Sequence, residues 1–292
     1  MRRLRIAMIG VLTLLVVRAD AQPPALPPSG TVLAALRAAQ EDPDDPAKIK
    51  AALSVLPKVV FNEGGADRTY YVWQGDQLLT AAQVRTRFQH PRQIEKSVTS
   101  PELVILEANG QDVFWPKGKR ALTYAIDKAS FGSNDHYMAI VREMEIATAD
   151  WVNACPACGL SFTHLAKLDT QKAAQGATFV VRYQPDITEF VAVSFFPNDP
   201  PYKRLLRVAP SFFAMDFSPE GVLRHELGHI LGYRHEHIRD IAGCEQDVDG
   251  GAWRPITPYT ANSVMHYMCG GGGSFDLKLR PRDISGHIAI YS

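Results

Sequence analysis

The chain has 292 residues, 46% hydrophobic and 21% charged, with 31 basic residues balancing 31 acidic ones. That length holds a leader, a small N-terminal unit and one domain with a substantial core. The charge balance excludes the basic footprint of a nucleic-acid binder, and no apolar stretch reaches the ~20 residues that stable membrane insertion takes.

Arg2, Arg3 and Arg5 form a basic start, Ile6 to Val17 is an apolar run too short to span a bilayer, and Ala19-Asp20-Ala21 is an A-x-A site. This pattern predicts a signal peptide over residues 1–21, cleaved after Ala21, and hence a secreted protein, extracellular or periplasmic. An uncleaved anchor is the alternative.

Residues 22–111 read as a separate leading segment. A Pro-rich stretch (22–30) precedes a helix over 31–40, an acidic Pro-broken turn over 41–46, and a second helix over 47–56. A strand over 69–73 and a helix over 81–88 follow, separated by Trp73-Gln74-Gly75-Asp76, which on its own reads as a hairpin turn.

The main domain is expected over 112–292. Ala121–Ile126 is a strand, His136–Ala154 a long helix, and Ala177–Tyr183 and Phe190–Phe196 are β-branched or aromatic strands. The Pro-rich FPNDPP after Phe195 places that last strand at a sheet edge. Ser218 is the N-cap of a helix with Pro219 at its first position and Glu220 in its first turn, running to Gly232. A closing helix is expected in RPRDISGHIAIYS, where Asp283 and His287 read as structural.

Export makes the four cysteines a disulfide framework. Three pairings are open. Cys155–Cys158 with Cys244–Cys269 is favoured, because the second bridge would tie the segment after His235 to the residue four past Met265. A redox role for C-P-A-C, and with it thiol–disulfide exchange, is the alternative, although no thioredoxin-like pattern surrounds it.

The richest stretch is HELGHILGYRHE, residues 225–236. Two histidines four apart on a helix share one face, about 6 Å apart along the axis, so both imidazoles reach one ion. Glu226 stands beside that ion as a base for a bound water. Gly232 supplies a positive-φ residue that ends the helix, so that His235 approaches from another direction. Three nitrogens leave a tetrahedral zinc ion one open position, as catalytic sites require. Downstream lies Ser263-Val264-Met265-His266-Tyr267.

The extended motif followed by a Met-containing turn resembles the metzincin clan of zinc endopeptidases. His235-Glu236 and SVMHY together resemble the astacin family, with matrixins next nearest. The resemblance covers residues 112–292 and is strongest over 225–267. It implies an α+β catalytic domain with a twisted mixed sheet, an antiparallel edge strand over the cleft, a long zinc-binding helix and a C-terminal subdomain with a Met-turn. It also implies one catalytic Zn²⁺ held by His225, His229 and His235. Glu226 is then general base and acid, Tyr267 an oxyanion donor, and Met265 a packing residue under the imidazoles. Extended polypeptide substrate would add to Ala192, Val193, Ser194 and Phe195 as a further strand. Gly270 to Gly273 would lie at the rim of the specificity pocket.

Astacin pro-segments carry an aromatic-x-Gly-Asp element whose aspartate binds zinc, and Asp76 matches it in outline; the plain hairpin turn stays open beside it. A cysteine switch is excluded, since no cysteine precedes Cys155. The resemblance further implies an activating protease and a Glu236 partnered by the mature N-terminus. His237 and His266 are offset from the ligand positions, and His90, His136 and His164 are isolated. Asp247 and Asp249 before Gly250 are compatible with Ca²⁺ or with a loop. Departures from the astacin pattern are a short His235–Met265 interval and cysteine positions that do not map onto astacin bridges. The alternative function is a catalytically silent zinc-containing binding protein of the same fold.

Overall fold

The structure is a computed structural model that describes residues 30–63, 65–89, 103–171, 176–239, 241–244 and 252–292. The signal-peptide pattern, His90, Asp247 and Asp249 lie outside the described residues. Among those described, no helix is long and apolar enough to cross a membrane.

The first elements are α1 (Gly30–Glu41), α2 (Pro46–Val55), β1 (Lys58–Glu63), β2 (Ala66–Trp73), β3 (Gln77–Leu79) and α3 (Ala81–Gln89). The Asp45 side chain accepts from the Ala47 amide and caps α2, with Pro46 at its first position. β1, β2 and β3 form an antiparallel three-stranded sheet in sequence order. The three helices and one face of this sheet enclose a core of their own, built on Leu36, Ile49, Leu53, Leu56, Trp73, Leu79, Val84 and Phe88. Strand β1 is not anticipated by the sequence reading, because only two positions of Lys58–Glu63, Val59 and Phe61, are buried and its pattern is brief.

The next strands are β4 (Val104–Ala108), β5 (Gln111–Asp112) and β6 (Ala121–Ile126), followed by α4 (Asn134–Ala154) and β7 (Ser161–His164). Then come β8 (Phe179–Tyr183), β9 (Ala192–Val193), β10 (Leu205–Val208), α5 (Pro219–Ile230), β11 (Tyr233–Arg234), β12 (Trp253–Pro255) and α6 (Pro281–Tyr291). The whole is an α+β protein. Its largest sheet has the order β7-β6-β8-β10-β9, parallel throughout except for antiparallel β9 at the edge. The expected strand over 190–196 shortens to Ala192–Val193 because Phe190 and Phe195 leave the strand for two different apolar clusters.

β4 pairs with β11 on one side and β12 on the other, and β5 folds back on β4. A boundary at 111/112 therefore cuts through a β-hairpin, and residues from Val104 onward pack with segments that follow α5. The main core lies between the large sheet and the packed pair α4 and α5, centred on Met144, Trp151, Leu206, Leu223, Leu227 and Met265. Trp151 donates to the Arg224 carbonyl (2.9 Å), and Trp115 to the Ile230 carbonyl (2.8 Å), fixing α5 at its middle and at its C-terminal end.

The disulfides are Cys155–Cys158, with Cα atoms 5.4 Å apart, and Cys244–Cys269, 5.1 Å apart. This is the favoured pairing. Two disulfides fit an oxidising, extracellular setting.

Candidate metal centre

α5 begins as the sequence predicts. Ser218 accepts from the Gly221 amide (3.1 Å), Pro219 takes the first position and Glu220 lies in the first turn. Every residue from Gly221 to Ile230 is buried, so the ligand face of the helix is held inside the protein. Gly232 then turns the chain at φ 105°. A Cβ there would also run into the Val113 carbonyl oxygen. Gly232→Ala is expected to lower stability by at least about 2 kcal/mol, from the strained backbone and the collision together; denaturant unfolding of the variant would show it.

The turn brings His235 back to His225 and His229. The Nε2 atoms of His229 and His235 lie 3.2 Å apart. Asp76 Oδ2 lies 3.2 Å from His225 Nε2, 3.2 Å from His229 Nε2 and 2.6 Å from His235 Nε2. These four residues form one buried group with ligand atoms within 4.8 Å of each other.

The donor count at this point is informative. His225 Nδ1 donates to the Val264 carbonyl (2.7 Å), and His229 Nδ1 donates to the Tyr233 carbonyl (2.7 Å). A neutral imidazole has one N–H, so both rings turn an Nε2 lone pair toward the carboxylate. Burial lowers the proton affinity of His225 and, more strongly, His235, which favours this neutral form. Lone pairs facing one oxygen at these distances repel unless a cation lies among them. Ligand atoms around a tetrahedral ion at about 2.0–2.1 Å stand about 3.3–3.4 Å apart. The 3.2 Å separations fit that, and the residues suit a divalent ion.

Asp76 belongs to the leading unit. Trp73 pairs with Gln77, and Gln74–Asp76 form the β2–β3 turn, with Gln74 and Gly75 at φ 54° and 84°. The hairpin reading of this element holds, and the turn carries the Asp76 carboxylate to the three histidines. Beside it, Gln77 forms a parallel bridge with Ser194 just past β9, so the leading unit covers the free edge of the large sheet.

Glu226 lies one residue from His225 on α5 and is 2% exposed, with Oε2 lacking a hydrogen-bond partner. Burial first, and then the nearby charge of Asp76, raise its carboxyl well above the usual range. The Tyr267 hydroxyl lies against both the Gln74 carbonyl (2.7 Å) and Asp76 Oδ2, and its ring centroid is 4.3 Å from that of His235. Met265 is fully buried beneath, its sulfur against the bare Cα of Gly228. Val264 is positioned in turn by Asp283, which accepts from the Val264 amide (3.1 Å) and the Ser263 hydroxyl (2.6 Å). Sequence reasoning missed Gly228, Gln74 and the two carbonyls that orient the imidazoles. Nothing in a one-dimensional pattern marks a backbone acceptor.

Other candidates have structural surroundings. Glu236 is buried and pairs with Arg239 at 3.1 Å, and burial pushes its carboxyl up to about 8 against that pull. His237, His266 and Cys269 lie close together, but Cys269 is bonded to Cys244, and the thiolate is the ligating form of cysteine. His266 Nδ1 donates to the Tyr267 carbonyl (2.6 Å), and its Nε2 meets the Tyr259 hydroxyl (2.8 Å). His164 bonds Asp169 (2.9 Å), His136 stacks on Phe213 at 3.9 Å and His287 bonds Tyr233 (2.8 Å). No protein-family model matches the chain, and no curated protein matches it.

Proposed function

We propose that the protein is an exported zinc-dependent endopeptidase of the metzincin type, astacin-like in its motif, with residues 30–89 folded as part of an inhibitory pro-segment. The observation that carries this reading is the meeting of three imidazole Nε2 atoms, two of them turned inward as lone pairs by Nδ1–H bonds to backbone carbonyls, with the buried Glu226 carboxyl on the same helix. A soft–borderline N₃ set of this kind suits zinc.

Bound there by His225, His229 and His235, such an ion supplies Lewis acidity, polarising a carbonyl and making a water acidic enough to lose its proton near pH 7. Glu226 takes that proton and returns it to the leaving amine, general base first and general acid second. Its buried, raised carboxyl suits the second task, and withdrawal of Asp76 takes away one of the two causes of that rise. Tyr267 swings from Asp76 to the developing oxyanion. Tyr267→Phe in the matured protein is expected to lower kcat about 10²-fold with little change in KM, the scale of one lost oxyanion donor, read by steady-state kinetics on a peptide.

Substrate specificity follows from the sheet edge. The backbone at Ser194 is open to a strand once Gln77 leaves it, while the Ser194 hydroxyl donates to the Glu226 carbonyl (3.0 Å). Extended polypeptide is therefore the substrate class. Proteome-derived peptides incubated with matured protein should show new cleavage sites that vanish with 1,10-phenanthroline and return with added Zn²⁺. Cleavage that persists in the chelator ends the proposal, and cleavage that then disappears in Cys158→Ser transfers the activity to thiol chemistry.

A further inference from the structure

The leading unit touches more than the metal. Along β10, Leu206 and Val208 enter the main core, so Arg207 between them points to the opposite face of the large sheet. On β9, Ala192 faces the core and Val193 faces outward with Arg207. This outer face is covered by β1 and β2. Val59, Phe61, Tyr70 and Val72 pack with Phe190, Val193 and Ala209 into one buried apolar cluster.

A polar clamp borders the cluster. Arg207 Nη2 donates to Glu63 Oε1 at 2.8 Å, with the arginine side chain only 6% exposed. Tyr70 donates to the other Glu63 oxygen at 2.8 Å, and the guanidinium lies 4.2 Å from the Phe61 ring centroid. Lys203 reaches Gln83 of α3 at 3.2 Å. None of these residues belongs to the metal group. The leading unit is also a folded body with its own core, not an extended tether.

We propose that the outer face of the five-stranded sheet is a docking site for the folded leading unit, separate from the metal centre, and that it retains the leading unit after the connecting chain is cut. The site takes a three-stranded β unit that presents an apolar face and one carboxylate to Arg207. All four cysteines lie at or beyond Cys155, so no disulfide links the two parts, and retention is noncovalent, with this surface holding independently of the contacts around Asp76. The consequence, that a single cut leaves the enzyme inhibited until the leading unit is destroyed or displaced, rests on the peptidase reading above. The docking does not.

The test is made on the full chain with a specific protease sequence inserted between Lys96 and Ser97. After cutting, the two fragments are run on size exclusion at low micromolar concentration, with and without EDTA. They should co-elute in both, and Asp76→Ala should co-elute as well. Arg207→Glu, which sets two carboxylates face to face in a buried site, and Val59→Asp, made independently on the other partner, should each weaken association about 100-fold or more. Circular dichroism of the uncut variants confirms folding. Separation of wild-type fragments on chelation, or retention in both variants, overturns the proposal. Hydrolysis is a separate readout: co-elution without any activity after the leading unit is removed refutes the peptidase reading and leaves the docking standing.

Discussion

Glu226→Gln in the matured protein is expected to reduce peptide hydrolysis about 10²–10⁴-fold, the range for loss of a positioned general base. The amide is nearly isosteric and sits on a helix whose ligand face is fully buried, so the three histidines keep their places. Metal content should stay stoichiometric, as read by elemental analysis of the purified variant. That split separates an enzyme from a silent zinc-containing binding protein of the same fold. A variant that hydrolyses at the wild-type rate, or a wild type with no hydrolysis to lose, sinks the assignment. Loss of metal along with activity would instead mean that Glu226 holds the site together.

Asp76→Ala should act in the opposite direction. In the uncut chain, Asp76 Oδ2 sits within 3.2 Å of all three histidine nitrogens and against the Tyr267 hydroxyl. On the peptidase reading it therefore stands where a water or a substrate carbonyl would bind, and it engages the tyrosine that would otherwise swing to the oxyanion. With an ion bound among the histidines, losing this buried charged contact costs about 3–5 kcal/mol, and on the peptidase reading that energy no longer keeps the cleft closed. The docked β-sheet of the leading unit still shields the edge strand, so the uncut variant should gain activity at least about tenfold rather than reach the matured rate. The assay is turnover of a quenched peptide, with mass spectrometry confirming that the chain stays intact. No rise over the uncut wild type would show that Asp76 is only the corner of its hairpin. Asp76→Asn adds a control: it keeps the turn and most of the volume but removes the charge, and it should resemble Asp76→Ala.

Much of the site was legible because its parts are close in sequence. His225 and His229 share a helix face by the 3.6-residue repeat alone, and Gly232 announces the turn that returns His235. Ser218 and Pro219 mark where that helix starts, and the structure has both in those roles. The favoured disulfide pairing rests on Cys244–Cys269 tying the segment after His235 to the residue four past Met265, and the structure has both bridges. Where the signal was short, the reading failed. β1, β4, β5, β7, β11 and β12 are mostly brief pieces whose residues become strands through partners far along the chain.

The amino-acid order by itself determined the spacing of the three histidines, the carboxyl beside the first of them, the helix that carries two of them and the leading segment's possession of a Gly-Asp turn. These depend on local periodicity and on steric limits that act within a few residues. Only the tertiary structure decided that the turn at Asp76 meets those histidines, that β4 belongs with β11 and β12, and that Arg207 faces Glu63 across the outer sheet face. Such contacts join residues more than a hundred positions apart, and their formation depends on which apolar faces are left over once each unit has filled its own core. No pattern confined to a window of sequence records that remainder.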